Sequence, residues 1–391
     1  MFQRPSFLPA VARLAAAAAC VLSAGCLTDI ATGTTVHVMR VASPAMGRFN
    51  DIQLAEDAIP AGISTMEGLL VARPDDADLH ESLARAYASL AFGFVVDHME
   101  EALALDTEEG DARAEEHRQR ALRLFGRAKE VGLEQMTLWE DDDGGAAGAI
   151  SRGIEAWTAY LTKFDDTDQA PMLLWTAYAW AQTIGLSHAD MDALSDLPYA
   201  TALIEHVLRL DPTTGNYAPH GLRAGLLGGI PRLLGGRPDE ARREFEIAIR
   251  ATHRHNFMYL VMEARIVAVA LQDRTLYRER LEEVLRADPN VVLDWRLSNL
   301  IAQKRARRYL AQIDDFFPPD EGAGGGQAPA EGSGDGDETA TPPAGEGAAT
   351  TEPEAVAPTA TAPAATPAAV APTTRPVAAR RRVAPAAGTA H

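Results

Sequence analysis

Two glycine pairs, Gly228-Gly229 and Gly235-Gly236, flank Ile230-Pro231-Arg232-Leu233-Leu234 and lead into Arg237-Pro238-Asp239-Glu240. Glycine-rich turns ahead of a helix are where proteins cradle phosphates, because bare backbone N–H groups point at the anion. The phosphate loop also needs a lysine followed by Ser or Thr, which Gly236 lacks after it, and the dinucleotide spacing is missing too. These glycines, with Pro231, therefore read as a structural turn that supplies positive φ and close helix approach. His80-Glu81 has no histidine three residues later, so the zinc-protease motif fails. His253 and His255 would project about 200° apart on a helix and so share no metal from one. The acidic run Glu140 to Asp143 lacks the glycine and closing glutamate of a calcium loop. No Gly-x-Ser-x-Gly elbow occurs. The chain reads as non-catalytic, with no metal and no cofactor.

Recognition is the better reading, and aromatic side chains are its candidates. Trp175, Tyr178 and Trp180, with Tyr217 and Trp157 nearby in sequence, form the richest aromatic cluster. Such rings either line a pocket for an organic ligand or partner, or pack the interior of a helical array. Trp175 and Tyr178, three residues apart, share a helix face, while Trp180 points elsewhere.

The elements that must position these residues are helices. Between about Pro44 and Phe317 apolar residues recur at helical spacing and nothing alternates as a strand. Ile150, Ile154, Trp157 and Leu161 form one stripe; Phe257, Leu260, Val261, Ala264, Val267, Ala268 and Leu271 form another. A frame also repeats: a small or aromatic residue, apolar residues at +4 and +7, and proline at +12. Gly62, Met66, Leu69 and Pro74 fit it, as do Ala200, Ile204, Val207 and Pro212, and Tyr277, Leu281, Val284 and Pro289. Ala121, Phe125 and Ala128, and Ala241, Phe245 and Ala248, keep the first three positions. This is the pattern of the second helix of a tetratricopeptide repeat, with Leu83, Ala84 and Tyr87 in register for a following first helix. The copies begin 36 to 79 residues apart, where a regular array repeats at about 34. The fold class is thus all-α: an irregular tetratricopeptide-like array of helical hairpins over 45–317, with insertions such as "LDTEEGDARAEEHRQ" and "TLWEDDDGGAAGAISRGIEAW". Such stacks offer a concave surface to partners.

The ends of the chain differ from this body. Arg4 and Arg13 precede the apolar run "LAAAAACVLSA", so residues 1–25 read as an export signal. Leu22-Ser23-Ala24-Gly25-Cys26 resembles the lipobox of bacterial lipoproteins, which makes Cys26 the lipid attachment site and 26–44 a linker. Leu27 stands where an aspartate would signal inner-membrane retention, so the reading is an outer-membrane lipoprotein facing the periplasm. Only Cys20 and Cys26 are present, so no disulfide framework exists in the mature chain. Past Phe317, residues 318–391 contain no Leu, Ile, Met, Phe, Tyr or Trp and read as a disordered Ala/Pro/Thr/Gly-rich tail, either a solvating tail or a tether whose Arg380-Arg381-Arg382 tip meets an anionic surface. A net charge of −19 disfavours nucleic acid.

The string "GGIPRLLGGRPDEARREFEIAI", preceded by "LRLDPTTGNYAPHGLRAG", resembles the TRAP transporter T-component (TatT) family, whose members carry a Gly-Gly-x-Pro-x-x-Leu-Gly-Gly signature before an amphipathic helix. "ESLARAYASLAFGFVVD", "RALRLFGRAKEVGL", "LLWTAYAWAQTIGL" and "NLIAQKRARRYLAQIDDFF" extend the resemblance from about Asn50 to Phe317. It implies a periplasmic lipoprotein of cryptic tetratricopeptide repeats that binds the solute-binding subunit of a tripartite ATP-independent periplasmic transporter. It also implies ring-forming homotrimers with an apolar channel for a small organic ligand. A general envelope scaffold, holding assembly or cell-wall partners, is the alternative that the repeats alone leave open.

Overall fold

The computed structural model describes residues 33–41, 43–187 and 191–317. The signal segment 1–25, Cys26 and the tail 318–391 lie outside the described residues. Within the expected linker, residues 33–41 are helical, with Val36 buried and Arg40 paired to Asp78 at 3.2 Å. Every regular element among the described residues is a helix.

Local chemistry sets the boundaries of the first three. Helix α1 (Ile52–Ala72) starts where the Asp51 carboxylate accepts from the Leu54 N–H at 3.0 Å, and it ends two residues before Pro74. Helix α2 runs Ala77–Leu90, passes through a π turn at Ala91–Val95 and continues over Val96–Leu103; Asp76 caps its start. Helix α3 (Glu108–Trp139) is 32 residues long and is capped by Thr107. Most of the first expected insertion is therefore the opening of α3. The second carries the end of α3 and two short helices, α4 (Gly145–Ser151) and α5 (Ile154–Leu161). Between them Gly153 has φ +99°, which breaks the helix and splits the stripe from Ile150 to Leu161.

Besides the short helices Met191–Ser195 and Ile313–Phe316, the chain continues with α6 (Ala170–Leu186), α7 (Leu197–Leu210), α8 (Thr214–Gly229) and α9 (Pro238–Ala251). They are followed by α10 (Phe257–Met262, then a π turn at Glu263–Ala268 and Val269–Leu271), α11 (Arg274–Arg286) and α12 (Arg296–Ala311). Successive helices pack as neighbours: α1 on α2, α2 on α3, α7 on α8, α8 on α9 and α11 on α12. Four copies of the repeated frame lie inside these pairs; in the copy on α1, Met66 is buried, whereas Gly62 and Leu69 are only partly covered and nothing lies within 4 Å of a Cβ added at Gly62. Ala121, Phe125 and Ala128 on α3, Ala200, Ile204 and Val207 on α7, Ala241, Phe245 and Ala248 on α9, and Tyr277, Leu281 and Val284 on α11 are all buried. Pro212 and Pro289 lie just beyond the ends of α7 and α11, where a proline cannot extend the backbone ladder.

The array is organised around α6. Fifteen of its 17 residues are buried, so it is apolar on every side and packs against α2, α3, α7 and α8. Close approach to α3 depends on Gly132: a Cβ there would lie 2.0 Å from Thr176 Oγ1 of α6. The two ends of the array also meet. The helical turn Ser43–Arg48 lies against Leu293–Trp295, Arg48 pairs with Asp294, and Arg296 Nη1 donates to the Arg48 carbonyl at 3.1 Å. Helix α12 returns to α2 through Lys304, Arg305 and Arg308, all of which reach Asp97.

Candidate functional site

The glycine signature divides between a helix end and a hairpin loop. Gly228 sits in the last turn of α8, where a Cβ would come within 2.6 Å of Ile266 Cγ2 and 3.1 Å of Ala241 Cβ, so glycine lets α8 cross α9 and α10 closely. Gly229 ends α8. Pro231 opens a short turn, Arg232–Leu234, and Gly235 follows with φ +96°. Gly236 has its own steric reason, since a Cβ there would fall 1.8 Å from the Ile230 carbonyl oxygen. The N–H groups of Gly235, Gly236 and Arg237 donate to the carbonyls of Arg232, Pro231 and Leu227. Three successive donors are thus committed inside the loop and do not turn outward to a phosphate. What the loop presents outward is Leu233, 99% exposed.

Trp175, Tyr178 and Trp180 lie on α6 and are 3%, 1% and 2% exposed. Trp175 and Tyr178 meet edge-on at 5.8 Å, and Tyr178 also meets Phe92 and Phe125 at 6.0 and 6.2 Å. Trp180 is on a different face, as its spacing predicts, and is buried there too. It stacks on Tyr199, meets Trp157 edge-on, donates from Nε1 to Asp196 at 2.8 Å and lies under Lys129. Tyr217 is separate from all three. It is half-buried in a left-handed turn, Gly215-Asn216-Tyr217, at the start of α8, with its ring 6.3 Å from that of His220. Consecutive positive φ at Asn216 and Tyr217 is costly for residues with a Cβ. Beneath this turn the Tyr259 hydroxyl donates to the Asn216 carbonyl at 2.9 Å. Beside it, His220 Nδ1 lies 2.7 Å from Glu244, which also accepts from Arg223 at 2.6 Å. Burial pushes the Glu244 carboxyl up, but His220 and Arg223 together hold it below its ordinary value. An open groove of about 450 Å³ lies elsewhere, along α5, lined by Ile154, Glu155, Thr158, Ala159 and Thr162.

The sequence reading passed over the charged junction between α2 and α12. Burial pushes Asp97 up, yet Arg305, Arg308 and Lys304 outweigh it and hold the carboxyl at about 2. Arg308 also pairs with Glu100, and Lys304 with Glu101 at 2.9 Å. The Tyr309 hydroxyl donates to Glu100 at 2.7 Å. Asp97 and Arg305 are 208 positions apart, so no spacing in the chain pairs them. The second omission is the pair of π turns, on α2 and α10. Such turns are uncommon and concentrate at functional sites. His253 and His255 are not on a helix: His253 and Arg254 have positive φ in the turn after α9, and the two rings lie 6.2 Å apart.

Among the described residues no helix is long and apolar enough to cross a membrane. The chain is 24% identical over 269 residues to an uncharacterized protein of Treponema pallidum (strain Nichols), a match covering 68% of this chain and 81% of that one. A family model described as the TRAP transporter T-component matches residues 48–317, which span the helical array from the turn before α1 to just past the short helix Ile313–Phe316 that follows α12. The chain belongs to the TRAP transporter T-component family, and is an accessory component of such a transporter on its periplasmic side.

Proposed function

We propose that this accessory component docks the periplasmic solute-binding subunit of its transporter, without catalysis of its own, and hands on a small organic ligand. The observation that carries this reading is the family match across the whole array, from residue 48 to 317. Physical chemistry supports a docking role for the signature loop. Leu233 is 99% exposed at the tip of a hairpin whose N–H groups are internally committed, so it contributes nothing to packing within the chain. An exposed leucine at a loop tip is apolar surface that a partner's pocket would cover. In the same reading the hairpins are tetratricopeptide-like units, Cys26 carries the lipid that holds the protein at the outer membrane, and the protomers assemble as a homotrimer.

Affinity capture of the mature protein from envelope extracts, followed by mass spectrometry, tests this. The solute-binding subunit should be recovered with the wild type and much reduced with Leu233→Asp at unchanged thermal stability. Captures that never contain such a subunit would sink the reading.

A further inference from the structure

Helix α5 has one face locked into the array, with Trp157, Tyr160 and Leu161 all buried, and another that the described residues leave open. Along the open side runs the groove of about 450 Å³ lined by Ile154, Glu155, Thr158, Ala159 and Thr162. The Thr158 hydroxyl donates to the Ile154 carbonyl at 2.8 Å, and the Thr162 hydroxyl to the Ala159 carbonyl at 2.7 Å. Both hydroxyls are thereby committed to the helix backbone, and Ile154 and Ala159 supply apolar floor, with Ile154 38% exposed. Apolar surface with a polar rim marks an interaction site.

The rim here is acidic. From Glu140 to Asp168 the sequence holds eight carboxylates against two cations, Arg152 and Lys163. The two cations tie the loop from Glu140 to Asp143 to both ends of α5. Arg152, just before the helix, donates to the Asp143 carbonyl at 2.7 Å; Lys163, just after it, reaches Asp142 at 2.9 Å and Glu140 at 3.5 Å. Asp141, Glu155, Asp165 and Asp168 are left without an ion pair among the described residues. Such a groove suits a segment that joins cationic to small apolar residues, and the chain carries one beyond the described array. After Glu354 the sequence has no Asp or Glu; it has Arg375 and Arg380-Arg381-Arg382, with Pro376-Val377-Ala378-Ala379 between them. Extended, Arg375 to Arg380 reaches about 17 Å, whereas the eight residues of α5 measure about 12 Å. Arginines at the two ends of the segment can therefore meet carboxylates beyond both ends of the helix while the residues between them lie along Ile154 and Ala159. Arg375 follows Phe317 by 58 positions, a flexible reach of about 40 Å, comparable with the width of an array of this size. Tethering gives a local concentration on the order of mM, so a weak contact suffices to hold the segment.

We propose that the segment Arg375–Val383 docks in the groove along α5 of its own chain, its arginines on the acidic rim. This stands independently of the transporter reading. The test is photocrosslinking in the purified full chain carrying Ala378→p-benzoylphenylalanine, with the products mapped by peptide mass spectrometry. Residue 378 should join the peptide holding Ile154–Thr162, and a one-to-one mixture with isotopically labelled chain should show both peptides coming from the same molecule. Charge drives the docking, so the yield should fall about tenfold in 0.5 M salt, where screening acts within about 4 Å. It should fall as far in Glu155→Arg combined with Asp165→Arg, and in the triple variant Arg380→Ala, Arg381→Ala, Arg382→Ala, both at unchanged thermal midpoint. Ala344→p-benzoylphenylalanine, nearer to Phe317 along the chain but set among carboxylates, should give at most about a tenth of the product. The docking is overturned if photoproducts spread over the array without preference, if they join two molecules, if neither salt nor the variants lower the yield, or if position 344 marks the groove equally.

Discussion

Gly126 and Gly132 occupy one helix, α3, and substitution by alanine should move stability in opposite directions. Alanine is favoured over glycine in a helix interior by about 1 kcal/mol, because glycine loses more backbone entropy on folding. At Gly126 nothing lies within 4 Å of an added Cβ, so Gly126→Ala should gain about 0.5–1 kcal/mol. At Gly132 the added Cβ falls 2.0 Å from Thr176 Oγ1 and 2.8 Å from Thr176 Cβ. Thr176 has little freedom to yield: it is fully buried on α6, and its hydroxyl donates to the Met172 carbonyl at 2.8 Å. Overpacking of this kind costs about 1–3 kcal/mol, and a contact this short belongs in the upper half of that range. After the propensity gain, Gly132→Ala should lose about 1–2 kcal/mol. In thermal unfolding each kcal/mol moves the midpoint by about 2–4 °C in a domain of this size, so the two variants should separate clearly on either side of wild type. Thr176→Ala should partly rescue Gly132→Ala, since it removes Oγ1 and leaves Cβ in place, and a double-mutant cycle should give coupling of about 1 kcal/mol. Gly132→Ala as stable as wild type, or coupling near zero, would refute the close crossing of α3 and α6.

Other outcomes follow from the same packing. Phe245→Ala removes a fully buried ring from α9 and should cost about 3–5 kcal/mol in denaturant unfolding. Asp97 is held at about 2, below its ordinary 3.8. Its contribution to stability is therefore complete above pH 4 and lost as pH falls from about 4 towards 2. Asp97→Asn should flatten that part of the stability profile, and at neutral pH should cost about 3–5 kcal/mol by leaving three cations without their shared carboxylate. Thr107→Ala, which removes the cap of α3, should cost about 1 kcal/mol, read from the same unfolding curves. Cys26→Ser should move the protein from the membrane fraction to the soluble periplasmic fraction on immunoblots if that cysteine carries the lipid.

What the chain alone determined was local. Helical periodicity, caps such as Asp51 and Asp76, prolines beyond α7 and α11, and the small residues Ala121, Ala200 and Ala241 act over about a dozen positions, so an all-α array with its frame residues inward was legible from them. Of the glycine signature, only Gly235 carries the positive φ expected of a turn, while Gly228 and Gly229 are the helical end of α8. The helix breaks were harder to read, because nothing before or after Gly153 distinguishes it from the helical Gly126, and the acidic opening of α3 resembles a loop in composition. Tertiary structure decided the rest. The aromatic residues of α6 read more readily as core than as pocket, but their burial depends on the four helices that enclose α6. The return of α12 to α2 through Arg305 and Asp97 depends on residues 208 positions apart. Such pairings are selected by the summed packing of all the intervening hairpins, and no segment of one sequence holds that sum.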